Sequence, residues 1–93
     1  MDIGRKIVNY AILNSEVVKY KYKEKMFGTE TYDYSIHYIY IRTRNEVEQT
    51  LNLKDIMDMT KDEFSPECCK VVNFTHKVAR NKDSIYKLEI RTE

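Results

Sequence analysis

Four side chains in this sequence could hold a metal ion: Cys68, Cys69, His76 and His37. The residues from 65 onward read as a helix, and a helix presents chelating pairs three or four residues apart. Cys68 and His76 would then stand roughly 12 Å apart along the axis, at ~1.5 Å per residue. Adjacent cysteines do not chelate a structural zinc by themselves, so neither a metal nor another cofactor is expected. Nucleophilic catalysis needs an activated Cys or Ser beside a base. A helix N-terminus lowers a thiol pKa, but Glu67 next to the pair opposes that effect. Cys68 also falls on the apolar stripe, which makes it buried and inert, with Cys69 about 100° round the helix as the more accessible thiol. Gly4 and Gly28 are the only glycines, too few for a phosphate-cradling loop, and no two of the 15 acids are marked out as an acid/base pair. The chain is read as non-enzymatic, with no catalytic, cofactor-binding or metal-binding residue.

What remains is charge. Lys19, Lys21, Lys23 and Lys25 alternate with Val18, Tyr20 and Tyr22, which puts four ammonium groups on one face of a strand. Such a stripe can track phosphates, extended by Arg42 and Arg44. Lysines in this pattern also keep an exposed edge strand from pairing with other chains. Single-strand binding further needs aromatic rings on which bases stack, and the alternation assigns the tyrosines to the opposite face. Opposite in sign, Asp55, Asp58, Asp62, Glu63 and Glu67 make an acidic stretch relieved only by Lys61. The first four are the candidate residues for meeting a basic groove on a partner.

The elements that must position these groups follow from hydrophobic periodicity. Ile3, Ile7, Val8, Tyr10, Ala11 and Ile12 trace one stripe of a helix over 3–14, capped by Asp2 and ended by Asn14-Ser15. Residues 16–43 read as a hairpin reversing at Gly28-Thr29, where Gly supplies a positive φ, with frayed ends from Lys23 to Thr31. Its second arm alternates Tyr32, Tyr34, Ile36, Tyr38 and Tyr40 with Asp33, Ser35, His37, Ile39 and Ile41. After a turn at Arg44-Asn45-Glu46, Val47, Gln49, Leu51 and Leu53 read as a third strand. Lys54 to Met59 reads as a short helix, and Thr60 with Glu63 has capping-box spacing. Ser65-Pro66-Glu67 opens a helix to about Arg80 with Cys68, Val71, Val72, Thr75, Val78 and Ala79 inward. Tyr86, Leu88 and Ile90 form a final strand.

This order, α-β-β-β-short α-α-β, describes one two-layer α+β domain over 1–93: a mainly antiparallel four-stranded sheet with two helices on its tyrosine face. The sequence shows no internal repeat, linker or low-complexity tract. The first five elements share the order of the double-stranded-RNA-binding domain. Ser65-Pro66-Glu67-Cys68 stands where such a domain needs a lysine cluster, however, and the first loop lacks its Pro and His, so no family is assigned.

With 16 basic against 15 acidic residues, the chain lacks the basic footprint of a dedicated nucleic-acid-binding protein. It carries no membrane span or signal peptide, and unpaired cysteines suit a cytoplasm, that of a host cell if the source is viral or phage. Residues with AT-rich codons dominate over Gly, Ala, Arg and Pro, which fits a low-GC bacterium, its phages or a large DNA virus. Together these features favour a small protein-binding module. Its most concrete form is a phage, viral or mobile-element inhibitor of a host factor such as a CRISPR-type defence nuclease, with a protein partner preferred to nucleic acid. The alternative is a nucleic-acid-binding accessory protein using the Lys19–Lys25 stripe, and the third reading is a homo-oligomer.

Overall fold

A computed structural model of the chain describes residues 3–31, 33–44, 52–63 and 68–93. In order these form α1 (Ile3–Asn14), β1 (Val17–Gly28), β2 (Asp33–Thr43), α2 (Leu53–Glu63), β3 (Cys69–Val78) and β4 (Ser84–Thr92). The four strands make one antiparallel sheet in the order β1-β2-β4-β3. Both helices pack on one face, which gives the two-layer α+β architecture.

In α1 most of the expected stripe is buried, with Ile3, Ile7, Val8 and Ala11 turned to the sheet and Tyr10 packed at its edge, whereas Ile12 is exposed. Asn14 and Ser15 end it: the Asn14 amide donates to the Tyr10 carbonyl at 2.8 Å, and the Ser15 hydroxyl donates to the Ala11 carbonyl at 2.7 Å. The expected cap, Asp2, lies outside the described residues. The hairpin pairs without fraying from Val17↔Thr43 to Gly28↔Asp33. Gly28 does not adopt a positive φ; instead the Thr29 hydroxyl accepts the Thr31 N–H at 3.3 Å and helps to hold the reversal. Tyr32 lies outside the described residues.

Two elements differ from the sequence reading. The turn at 44–46 and most of the expected third strand, with Val47, Gln49 and Leu51, lie outside the described residues beyond Arg44, and Leu53 is helical. Asn52 is the reason. Its side-chain oxygen accepts the Asp55 N–H at 2.9 Å and its carbonyl accepts the Ile56 N–H at 3.2 Å, an N-cap that starts α2 there. Thr60 is accordingly inside α2 and caps nothing, its hydroxyl donating to the Met57 carbonyl at 2.8 Å.

The second difference is larger: 69–78 is the strand β3, not a helix. The segment is rich in β-branched and aromatic residues, which suit a pleated surface. A bulge between Val71 and Asn73 shifts its phase by one residue. Inward positions therefore fall at Cys69, Val71 and Phe74, and the step of three between the last two imitates a helical stripe. Val72, expected in the core, is the extra residue of the bulge and is 57% exposed. The Ser65-Pro66-Glu67 cap lies outside the described residues.

The ladders also contain a repeat. β2 and β4 pair from Ser35↔Thr92 to Thr43↔Ser84, centred on Ile39↔Leu88, and each has its own helix and outer strand before it in the chain. The two α-β-β units are thus related by an approximate twofold axis through the middle of the sheet. Residues 35–43 read SIHYIYIRT and residues 84–92 read SIYKLEIRT. Each outer strand even carries one bulge, at Val17/Lys19 and at Val71/Asn73. An internal repeat is therefore present where none was expected.

The core lies between the layers. Ile39 and Ile41 of β2 and Tyr86, Leu88 and Ile90 of β4 meet Ile3, Ile7, Val8 and Ala11 of α1 and Ile56 of α2. Each such large side chain contributes about 1.5–3 kcal/mol when fully buried.

Candidate functional site

Partners across an antiparallel ladder point to the same face, so the register decides what the uncovered face of the sheet displays. Lys19 faces Arg42, Lys21 faces Tyr40, Lys23 faces Tyr38, Lys25 faces Ile36 and Phe27 faces Tyr34. The rows continue across β4 and β3 as Ile85 and Lys77, Lys87 and Thr75, Glu89 and Asn73, Arg91 and Lys70. The lysines of the first arm and the tyrosines of the second therefore share one face, and the helices cover the other.

This corrects the expected burial of Tyr34, Tyr38 and Tyr40 and the expected exposure of His37, Ile39 and Ile41. The second arm is apolar on both faces, so alternation alone cannot orient it. Isoleucine enters a core without a polar atom to satisfy, whereas a tyrosine hydroxyl favours a position that still reaches water. Ile39 and Ile41 are buried, as is His37. The His37 imidazole meets the Tyr22 hydroxyl through Nδ1 and the Thr92 hydroxyl through Nε2, both at 2.9 Å. Tyr20 and Tyr22 lie on the helix side, where Tyr22 stacks on His37 with ring centroids 6.1 Å apart.

Charge is segregated by the same register. In a chain of net charge +1, the uncovered face carries Lys19, Lys21, Lys23, Lys25, Arg42, Lys70, Lys77, Lys87 and Arg91. Among the described residues its ladders hold one carboxylate, Glu89. Glu24 falls on the helix side beside His37. The β1 lysines recur every ~6.7 Å, twice the rise of a strand residue, comparable with the phosphate step of an extended nucleic-acid strand. Among the described residues no carboxylate pairs with Lys19, Lys21, Lys23, Lys25 or Lys87.

Tyr34 is engaged at one end, stacked on Phe27 at 5.2 Å with the Arg91 guanidinium 4.1 Å above its ring centre. Tyr38 and Tyr40 stack on no other ring among the described residues. They line a depression of about 320 Å³ with Lys21, Lys23, Asn73, Lys87 and Glu89. At the other end Lys19, Arg42 and Arg44 gather round a second depression of about 510 Å³. Arg42 is tied to Asp83 at 3.0 Å and to Asn81 at 3.2 Å, and Arg44 pairs with Glu16 at 3.8 Å. The hydrogen bond to Asp83 raises the Arg42 pKa further.

The acidic candidates are less available. Asp55 accepts hydrogen bonds from the Tyr10 hydroxyl at 3.3 Å and the Asn52 amide at 2.8 Å, and its charge, after burial, helps to raise the Tyr10 pKa. Asp58 approaches Lys61 at 4.0 Å. The side chains of Asp62 and Glu63, and Glu67, lie outside the described residues.

The cysteines also differ from the expected buried Cys68 and accessible Cys69. Cys68 and Cys69 are both half-buried; Cys69 packs against the core near Thr60, and burial pushes its thiol pKa up. His76 meets the Ser84 hydroxyl at 3.0 Å and stacks on Tyr86 at 4.6 Å. No cluster of three or more metal-ligating side chains occurs among the described residues.

Comparison of the chain with protein-family models, curated proteins and solved structures finds no match. No helix among the described residues is long and apolar enough to cross a membrane.

Proposed function

We propose that this protein is a non-enzymatic, intracellular binder of single-stranded nucleic acid, held along the uncovered face of its sheet. Lys19, Lys21, Lys23 and Lys25 follow the phosphates along β1, and Tyr38 and Tyr40 offer rings to the bases beside Lys87 in the central depression. The observation that carries this reading is the shared face of lysines and tyrosines, set by the pairing of Lys21 with Tyr40 and Lys23 with Tyr38. Edge protection accounts for lysines on β1, which is an outer strand. It does not account for Lys87 and Arg91 on the inner strand β4, which has both neighbours already paired.

A protein partner is the second reading, in which the chain would act as an inhibitor of a host factor with an acidic surface. Exposed apolar side chains along the same outer strand favour it: Val18, Met26 and Phe27.

Fluorescence anisotropy with a labelled single-stranded 12-mer tests the proposal. The four lysine–phosphate contacts along β1 give log affinity against log salt a slope of roughly −2.8, at ~0.7 per contact on single strands. Replacing Lys19, Lys21, Lys23 and Lys25 by Gln should remove most of that slope and the binding with it, while the thermal midpoint stays put. Wild-type protein that binds no oligonucleotide at low salt, or binds no better than the Gln variant, refutes the proposal and leaves the protein-partner reading standing.

A further inference from the structure

From the middle of this face we infer a base preference: Glu89 and Lys87 recognise guanine in the bound strand, an inference that rests on the nucleic-acid reading above. The twofold axis supplies the first argument. Away from the centre the related positions agree, Ile36 with Ile85 and Arg42 with Arg91. At the centre they do not: Tyr38 corresponds to Lys87 and Tyr40 to Glu89. The two units have diverged where the 320 Å³ depression lies, a volume within the usual range for ligand pockets.

The second argument is the charge of Glu89. A carboxylate amid phosphate-binding cations weakens phosphate binding unless it accepts hydrogen bonds from something else. Glu89 is half-buried in the wall of the depression and has no ion pair among the described residues. An ionised carboxylate only accepts, through two oxygens. Of the four common bases only guanine presents two adjacent donors, N1–H and the N2 amino group, on its Watson–Crick edge. Its third group on that edge, O6, is an acceptor. Lys87 stands two residues before Glu89 on the same face of β4 and can donate to it. A splayed, unpaired base exposes that edge, and Tyr38, directly across the ladder from Glu89, offers a ring to stack on.

The experiment compares three oligonucleotides of otherwise uridine sequence by anisotropy: all uridine, one central guanosine, and one central inosine, which lacks the N2 amino group. The guanosine strand should bind roughly 5- to 150-fold more tightly than all-uridine, the range of one good bidentate base contact. The inosine strand should fall between them. Glu89→Gln should reduce the guanosine preference to under threefold while affinity for the uridine strand holds or rises. Equal binding of all three strands by wild type, or a guanosine preference that survives Glu89→Gln, overturns the guanine assignment and leaves the nucleic-acid reading intact. Absence of binding to every strand overturns both.

Discussion

Gly4→Ala should destabilise this protein although alanine is the better helix former. Gly4 lies in the first turn of α1, buried over β1, and a Cβ added there would overlap the Tyr22 ring. That ring cannot swing aside freely. Its hydroxyl meets His37 Nδ1 at 2.9 Å, and the opposite imidazole nitrogen is held by Thr92 at 2.9 Å. Displacing it sacrifices a hydrogen bond of about 1 kcal/mol and adds overpacking of about 2 kcal/mol. Against this stands a helix-propensity gain of about 1 kcal/mol. The net loss is about 2 kcal/mol, a fall in melting temperature of roughly 8–16 °C for a domain of this size. In a Tyr22→Ala background the obstacle is gone, so the same Gly4→Ala change should stabilise by about 1 kcal/mol. Urea unfolding of the four proteins of this cycle therefore gives a coupling of about 3 kcal/mol with a reversal of sign. A Gly4→Ala variant at least as stable as wild type in the native background refutes the placement of α1 against Tyr22.

Three further outcomes test the corrected strand. Val72→Asp, at the exposed bulge, should alter stability by no more than about 0.5 kcal/mol, whereas Ile90→Asp puts a carboxylate into the core and should cost about 4 kcal/mol or unfold the chain; equal losses in a circular-dichroism melt would restore the helical reading of 69–78. Alkylation of the native protein near pH 8, followed by mass spectrometry, should label Cys68 before Cys69, because burial raises the Cys69 pKa and keeps its thiol protonated. A raised pKa means the folded state holds this proton more tightly than the unfolded one. The stability it contributes is complete below the ordinary thiol pKa and declines as pH rises through the raised value. Wild type should therefore lose stability through that alkaline range more steeply than Cys69→Val, and parallel profiles would contradict the burial of the thiol.

Much of this was legible from residue order alone. The α1 stripe, its end at Asn14-Ser15, the hairpin and the final strand are local, each specified by a period of one length and by its own termination residues. The repeat is written there too, in the matching ends of SIHYIYIRT and SIYKLEIRT, but it spans only nine residues at a separation of 49 and is faint against the rest of the chain. The strand at 69–78 was hidden by its bulge, since one extra residue turns alternation into a helix-like spacing. The face of the second arm could not be read at all. Tyr34, Ile36, Tyr38 and Tyr40 compete with His37, Ile39 and Ile41 for burial, and both sets alternate equally well. Which set went inward was decided by α1 and α2 packing on the aliphatic side, and by pairing with β1 in a register that sets Lys21 against Tyr40. Residue types and their spacing thus determined that this chain has a lysine stripe and a tyrosine stripe. That the two became one surface was settled only when strands distant in the chain paired, because a side chain's face depends on its partner strands and on the layer that covers them.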